Sequence, residues 1–247
     1  MVGVSRCVVR MTIDDAEHFT PEKRAEIIAS YLPHERDART RGIPQLGSGR
    51  VFPLGDDQVS CEPFQPPDWW PQIGGLDYGY DHPFAAVRVA HDTDNDIAYV
   101  IQTYRQRLAT PVVHAAALRV WGEGLPFAWP HDGMASDKSS GEPLRNSYMK
   151  EKLRLLPEHA PVGLEFGIME MLDRMLTGRL KVFSHLGDWF EEFRLYHRKE
   201  GVIQKRADDL MSATRYAVTS LKFARTTASR KRVGPEHTEM DFNAFAW

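Results

Sequence analysis

The sequence predicts an α/β domain in which helices flank a central mixed sheet, built from a three-strand meander extended by parallel strands. Three observations lead to this class. Three apolar segments with strand character follow one another between residues 73 and 104, separated only by short turns. A helical segment and a fourth strand come next. Segments with helical periodicity then occupy most of the chain to residue 224.

The segment before the sheet contains an apolar run over residues 8–13 and one clear helix start. Thr20 is a typical N-cap and Pro21 suits the first helical position, so we expect a helix that continues to about residue 31. Glycine and proline dominate residues 41–55, and four prolines between residues 63 and 71 disfavour helix. We therefore predict a domain boundary near residues 50–65.

The elements that follow define the order of the fold. Strands are predicted at residues 73–78, 84–90, 97–104 and 126–129, with a helix from Pro111 to about residue 122 between the third and fourth. Residues 132–146 are polar and aperiodic, which predicts a loop over the strand ends. Further helices are expected at residues 144–155, 163–176, 189–199 and 207–224, with a weak fifth strand at 180–183. This order is that of the ribonuclease H-like fold.

Composition narrows the class of protein. The 247 residues can bury one main core. Cys7 and Cys61 are the only cysteines, which excludes a disulfide framework and a multi-cysteine zinc site and fits the cytoplasm. We expect no membrane association, since no apolar run approaches the ~18–20 residues that span a bilayer. The formal net charge of −3 disfavours a generally basic nucleic-acid coat. The late basic residues, 197–232, suit either a solvated surface or a DNA track.

Three short acidic segments carry the functional hypothesis. Asp77 lies in GGLDYGYDHP (residues 74–83), Asp132 in FAWPHDG (127–133), and Asp208 and Asp209 precede MSATRY (211–216). Each lies where a strand ends or a helix begins, so the fold can bring all three to one edge of the sheet. Taken singly, Asp77 and Asp132 suit turns, and Asp208 and Asp209 suit helix caps.

Considered together, these acids predict a divalent-metal site for phosphodiester cleavage. Carboxylates are the hard oxygen ligands that Mg²⁺ or Mn²⁺ prefers, and a two-metal site activates water and stabilises the leaving oxygen. Asp208 and Asp209 point about 100° apart on a helix, and spacing does not choose between them. Weaker candidates for the same site are Asp81, His131, Lys138 and Lys150. Glu191 and Glu192 are interpreted as a solvated helix face.

The chain resembles the C-terminal nuclease domain of the large subunit of tailed-phage terminases, the DNA-packaging motors. The resemblance rests on GGLDYGYDHP, on FAWPHDG, and on FEEFRLYHRKEG followed by KRADDLMSATRYAV (residues 190–218). It implies a metal-dependent endonuclease that cuts concatemeric viral DNA, with Asp77, Asp132 and one or both of Asp208 and Asp209 as catalytic acids. It also implies double-stranded DNA, the phage portal and the small terminase subunit as partners, in the host cytoplasm.

The sequence departs from the whole family pattern at its N-terminal end. Large subunits carry an ATPase with a phosphate loop, GxxxxGK[ST] or a variant, and this sequence contains none. We therefore expect residues 1–60 to be the last part of an ATPase and its linker, 61–225 the nuclease domain and 226–247 a tail, without ATPase activity. Two alternatives stay open: a non-enzymatic prophage remnant that binds DNA or the portal, and a junction resolvase of the same fold.

Overall fold

The computed structural model describes residues 12–16, 18–31, 36–41, 49–136, 141–199, 202–204 and 207–226. Within these ranges the helices are α1 (Pro21–Ser30), α2 (Arg36–Arg41), α3 (Asp56–Val59), α4 (Pro111–Arg119), α5 (Leu144–Lys150), α6 (Leu164–Leu176), α7 (Gly187–Leu195) and α8 (Asp209–Thr219). The strands are β1 (Ser60–Cys61), β2 (Gln72–Asp77), β3 (Phe84–Asp92), β4 (Ile97–Gln106), β5 (Pro126–Ala128), β6 (Arg154–Leu155), β7 (Leu180–Phe183), β8 (Arg198–Lys199) and β9 (Val202–Ile203).

Seven strands form one mixed sheet in the order β1-β7-β4-β3-β2-β5-β6. The central strands β2, β3 and β4 pair antiparallel as a meander. Parallel strands extend the meander on both sides, β7 and β1 beyond β4, and β5 and β6 beyond β2. The predicted meander with parallel extensions is therefore confirmed. Strands β8 and β9 form a separate antiparallel hairpin.

Helices cover both faces of the sheet because the side chains of β3 alternate between two cores. Ala85, Val87 and Val89 pack in the core formed with α6, α7 and α8. Phe84 and Ala86 face the other way, into the core formed with α4 and α5. This alternation is the period of two that a strand imposes, and burying each large side chain contributes roughly 1.5–3 kcal/mol.

Helix α8 lies directly on strand β2 because Gly75 has no side chain. A Cβ atom at this position would lie 2.0 Å from the carbonyl oxygen of Ala213 in α8, well inside van der Waals contact. Gly75 therefore permits an approach that no other residue would allow. The contact holds α8 across the end of the strand that carries Asp77.

Several predicted helix boundaries are wrong, because the chain forms a short strand, a hairpin or a 3-10 turn where the helix was expected to continue. The helix predicted at 144–155 ends at Lys150, since Lys152 takes a positive φ of 64°, and β6 then pairs with β5. The helix predicted at 189–199 begins at Gly187 and ends at Leu195, and the hairpin follows. The last helix spans only Asp209–Thr219, after which a 3-10 turn follows.

The N-terminal helix is confirmed as α1, whose N-cap Thr20 accepts a hydrogen bond from the Lys23 backbone N–H at 3.3 Å. Val51, Phe52, Leu54 and Val59 are buried in the core shared with α6, α7 and α8. The division of the chain into 1–60, 61–225 and 226–247 stays a prediction, and almost all of the predicted tail lies outside the described residues. Over the part of the chain described, no helix is both long and apolar enough to cross a membrane.

Candidate active site

An open cleft of about 580 Å³ lies at the edge of the sheet where β2 and β5 end. All four aspartates of the three acidic segments, Asp77, Asp132, Asp208 and Asp209, line this cleft. Its wall also includes polar and aromatic side chains from several elements, among them Tyr78, His82, Arg107, His131, Tyr196, Ser212, Arg215 and Tyr216. Residues separated by more than 130 positions in sequence therefore share one surface.

Two parallel strands deliver Asp77 and Asp132 to the same edge. Asp77 is the last residue of β2, and β5 pairs with that strand in parallel, with Gly75 opposite Ala128. Parallel neighbours end on the same side of a sheet, so the chain leaving β5 enters the cleft as a 3-10 turn, His131–Met134, that carries Asp132. Asp77 is partly buried, whereas Asp132 is exposed.

Asp208 and Asp209 enter the cleft at the start of α8, but the structure differentiates them. Asp209 is the first helical residue and only 7% exposed. Its Oδ1 atom lies 3.2 Å from Nδ1 of His82, which extends from the loop after β2. Asp208 is the N-cap residue and is half-buried, and its side chain forms no capping hydrogen bond.

The N-terminus of α8 is capped instead by Glu192 of α7. The Leu210 backbone N–H donates to Glu192 Oε2 at 2.6 Å. Nη1 of Arg105 on β4 donates to Oε1 of the same carboxylate at 2.7 Å. Glu192 is fully buried, so its interpretation as solvated surface was wrong. Because Glu192 satisfies the helix terminus, the capping role that could explain Asp208 and Asp209 is already filled from another helix.

The other three aspartates of the acidic segments act electrostatically on Asp77. Burial raises the pKa of Asp77 well above its ordinary value, and the negative charges of Asp209, Asp208 and Asp132 raise it further. Arg215 opposes this shift. Asp209 acts on the Asp77 pKa more strongly than Asp208 does. A carboxylate cluster of this kind is relieved by a bound cation.

The donor set fits a hard divalent cation by its chemistry and charge. Mg²⁺ and Mn²⁺ prefer carboxylate oxygens, and five aspartates line the cleft, the four named above and Asp81. The site is not a preformed metal cage. Among the described residues, no three acidic, histidine or cysteine side chains are grouped closely enough to hold an ion. The aspartates nevertheless share one cleft, and the charges of three of them act on Asp77. Carboxylates in an open cleft can approach an ion by rotation of their side chains.

The weaker candidates fall in different places. Asp81 and His131 line the cleft. The Asp81 carbonyl oxygen accepts a hydrogen bond from Arg107 Nε at 2.7 Å. Lys150 lies outside the cleft lining and pairs with Glu142 at 2.5 Å. Lys138 lies outside the described residues.

Sequence reasoning named His131 but missed His82, Arg107 and Arg215 among the side chains of the cleft. One signal was available for Arg215: it follows Asp208 by seven residues, two helical turns, and therefore shares a face of α8 with it. Ser212 lies between them on that face. His82 and Arg107 carried no such signal, because a turn and a strand end bring them to the cleft only in the folded chain.

The family model of the terminase RNaseH-like domain matches residues 74–221. The large terminase subunit of Salmonella phage P22 is 45% identical over 227 residues, which cover 90% of this chain and 46% of that protein. This chain thus spans about half the length of that relative. The solved nuclease domain of the P22 large terminase is 40% identical with a TM-score of 0.68, covering 73% of this chain and 96% of that one.

A more distant structure shares the fold. The large terminase nuclease of the thermophilic phage G20c, solved with bound magnesium, has a TM-score of 0.52 at 16% identity, covering 71% of this chain and 99% of that one. The ribonuclease H-like fold predicted from element order is confirmed by these matches. The chain belongs to the terminase RNaseH-like domain family.

Proposed function

We propose that this chain is a divalent-metal-dependent endonuclease that cuts concatemeric double-stranded viral DNA during genome packaging. The observation that carries the proposal is the convergence of Asp77, Asp132, Asp208 and Asp209 on one cleft. The similarity to the P22 large terminase and to its nuclease domain supports the role in packaging.

The aspartates are proposed to hold the metal, with Asp77, Asp132 and Asp209 as principal ligands and Asp208 beside them. Bound Mg²⁺ or Mn²⁺, as a pair, supplies an activated water and stabilises the leaving oxygen. The magnesium bound to the G20c nuclease supports this class of ion. Asp77 is suited to this role because its carboxylate is held among like charges that a cation neutralises.

Neighbouring residues hold the proposed metal ligand Asp209 in position. Glu192 and Arg105 hold the first turn of α8, and with it Asp209, against the rest of the cleft. His82 holds the Asp209 carboxylate from the opposite loop. The sequence contains no helix-turn-helix or zinc-finger motif, so we propose cutting with little base preference.

The cellular location and the protein partners are part of the same proposal. As the nuclease part of a terminase, the chain would work in the host cytoplasm with the portal and the small subunit. The sequence has no GxxxxGK[ST] phosphate loop, so we propose that it does not hydrolyse ATP by itself.

Digestion of supercoiled plasmid in Mn²⁺ or Mg²⁺ tests the proposal. The wild type is expected to nick and linearise the plasmid, with no cutting in EDTA. Asp77→Asn is expected to remove cutting while preserving the circular dichroism spectrum, since it keeps the shape of the side chain but not its charge. Asp57→Asn is the matched control, because Asp57 is exposed on α3 and does not line the cleft.

Wild-type protein that binds DNA or portal but does not cut in either metal would favour the non-enzymatic alternative. Selective cutting of four-way junctions over plasmid would favour a resolvase. Equal cutting by the wild type and Asp77→Asn would remove the assignment of the cleft.

A further inference from the structure

Arg215 is a buried cation on the wall of the cleft. It lies on α8, is 6% exposed and lines the same cavity as the four aspartates. It forms no ion pair with any carboxylate of the described residues. Its Nε atom is buried and has no hydrogen-bond partner there. Burying an arginine without a partner anion is costly, so its position requires an explanation.

The surroundings of Arg215 fix the side chain in place. A Cβ atom at position 167 on α6 would lie 2.5 Å from Cγ and 2.6 Å from Cδ of Arg215, so the glycine there makes room for the arginine stem. The guanidinium carbon lies 4.3 Å from the ring centroid of Tyr216, a cation–π contact. The stem of Arg215 therefore packs against α6, and its guanidinium contacts the neighbouring Tyr216 ring, so the side chain is held at the cleft.

The other basic side chains that line the cleft among the described residues, Arg107, His82 and His131, already have contacts in the structure. Arg107 donates to the Asp81 carbonyl oxygen at 2.7 Å, and His82 contacts Asp209. The aspartates would be neutralised by metal when the proposed enzyme is loaded. Arg215 would then be the buried positive group of the cleft without a carboxylate partner among the described residues, whereas Arg107 is exposed to solvent. A DNA phosphate is the anion that the proposed substrate brings to this cleft.

We propose that Arg215 binds a non-bridging oxygen of a DNA phosphate in the cleft, close to the bond that is cut. This inference rests on the proposed function. The guanidinium presents several N–H donors in a planar fork that matches two oxygens of one phosphate. A donor placed at developing negative charge lowers the barrier to cleavage. Arg215 thereby becomes a substrate-contacting residue beside the metal-binding acids.

The salt dependence of DNA binding tests the contact directly. Binding of a short duplex is measured in Ca²⁺ at several KCl concentrations for the wild type, Arg215→Gln and Arg215→Met. Loss of one phosphate contact is expected to reduce the slope of log K against log salt by about 0.9. Cutting in Mn²⁺ is expected to slow about 10²-fold. Arg215→Met keeps an apolar stem against Gly167, so the same measurements can be made on this variant if Arg215→Gln does not fold.

Two further variants separate contact from structure. Arg194→Gln is the control, because Arg194 is a partly buried arginine outside the cleft lining, paired with Asp56 at 2.6 Å; its slope should match the wild type. Arg215→Lys keeps the charge, so it should keep the wild-type slope and recover part of the cutting rate.

An unchanged slope in Arg215→Gln and Arg215→Met overturns the inference. A shift in the Mn²⁺ midpoint with unchanged slope and rate would make Arg215 a counter-ion of Asp77, which also overturns it. Failure of the proposed function is recognised separately, as a wild type that does not cut in Mn²⁺; the slope measurement needs no cutting and remains decisive for Arg215.

Discussion

Glu192 and Leu210 join two helices through one buried hydrogen bond of 2.6 Å, from the Leu210 backbone N–H to the Glu192 carboxylate. The bond takes the place of an ordinary N-cap, because the acceptor comes from α7 rather than from the residue that precedes α8. Arg105 binds the second oxygen of the same carboxylate. The start of α8, where Asp209 lies, is thereby tied to both α7 and the sheet.

Glu192 is expected to make stability depend on pH. Burial, only partly offset by the hydrogen bonds from Arg105 and Leu210, raises its pKa from 4.5 to about 7. The folded state therefore keeps a proton that the unfolded chain loses as the pH rises. The resulting stabilisation of the folded state is fully present below pH 4.5 and is lost as the pH rises through about 7. Relative to Glu192→Gln, the free energy of unfolding of the wild type should fall by about 3 kcal/mol between pH 4.5 and 8.

Urea unfolding of both proteins in EDTA at a series of pH values measures this difference. Glu191→Gln is the matched control, since Glu191 is the exposed neighbour on the same helix. Parallel pH curves for the wild type and Glu192→Gln would contradict the prediction.

Asp77→Asn is expected to stabilise the metal-free protein. The pKa of Asp77 is raised by burial and by Asp209, so the ionised carboxylate is disfavoured in the folded state and its cost grows as the pH rises through the folded pKa. Removing the charge should add about 0.5–2 kcal/mol to the free energy of unfolding at pH 8, a typical gain from relieving strain at a functional site. Chemical unfolding in EDTA measures it.

The same variant should lose its response to metal. Mn²⁺ is expected to raise the Tm of the wild type, because an ion that binds only the folded state stabilises it. It should leave the Tm of Asp77→Asn nearly unchanged. An equal Tm rise in both proteins would show that Asp77 is not a ligand.

Asp209 is expected to matter more than Asp208 for cutting. Asp209 is the more buried of the two and acts more strongly on the Asp77 pKa. Asp209→Asn should reduce plasmid cutting in Mn²⁺ by about 10²-fold or more, and Asp208→Asn by about tenfold, the lower end of losses seen around metal ligands. Cutting rates over a Mn²⁺ titration provide the comparison. A larger loss for Asp208→Asn would reverse the assignment.

Gly75→Ala is expected to destabilise the fold and the site together. The new Cβ would meet the Ala213 carbonyl oxygen at 2.0 Å, so α8 must move away from β2. Overpacking of this kind costs about 1–3 kcal/mol, and the shift would separate Asp209 from Asp77. Urea unfolding and plasmid cutting measure the two effects. Gly187→Ala is the control, since a Cβ there meets no atom within 4 Å; equal behaviour of the two variants would contradict the close contact.

Strand periodicity and turn residues predicted the central meander and the fifth strand with small boundary errors. Residues 180–183 were predicted as a strand and form β7. These elements were accessible because apolar alternation and flanking turns are local signals. The two-residue strands β1 and β6 were missed because they pair with segments far away in the chain, which a local pattern does not contain. Strands β8 and β9 pair with each other, and they were missed because residues 189–199 were predicted as one helix.

The burial of charged residues was also not predictable from the sequence. Glu192 looked like one residue of a solvated helix face, and only the packing of α7 under α8 made it a buried cap. Arg215 looked like an ordinary basic residue of the last helix, and only Gly167 on α6 revealed a place built for it.

The sequence by itself determined the order of strands and helices and the identity of the acids at their ends, because those depend on residues near each other in the chain. The tertiary structure decided that β2, β5 and α8 meet at one cleft, that Asp209 rather than Asp208 is the buried acid, and that Glu192 and Arg215 face inward. These features depend on contacts between segments far apart in sequence, which exist only once the sheet has brought those segments together.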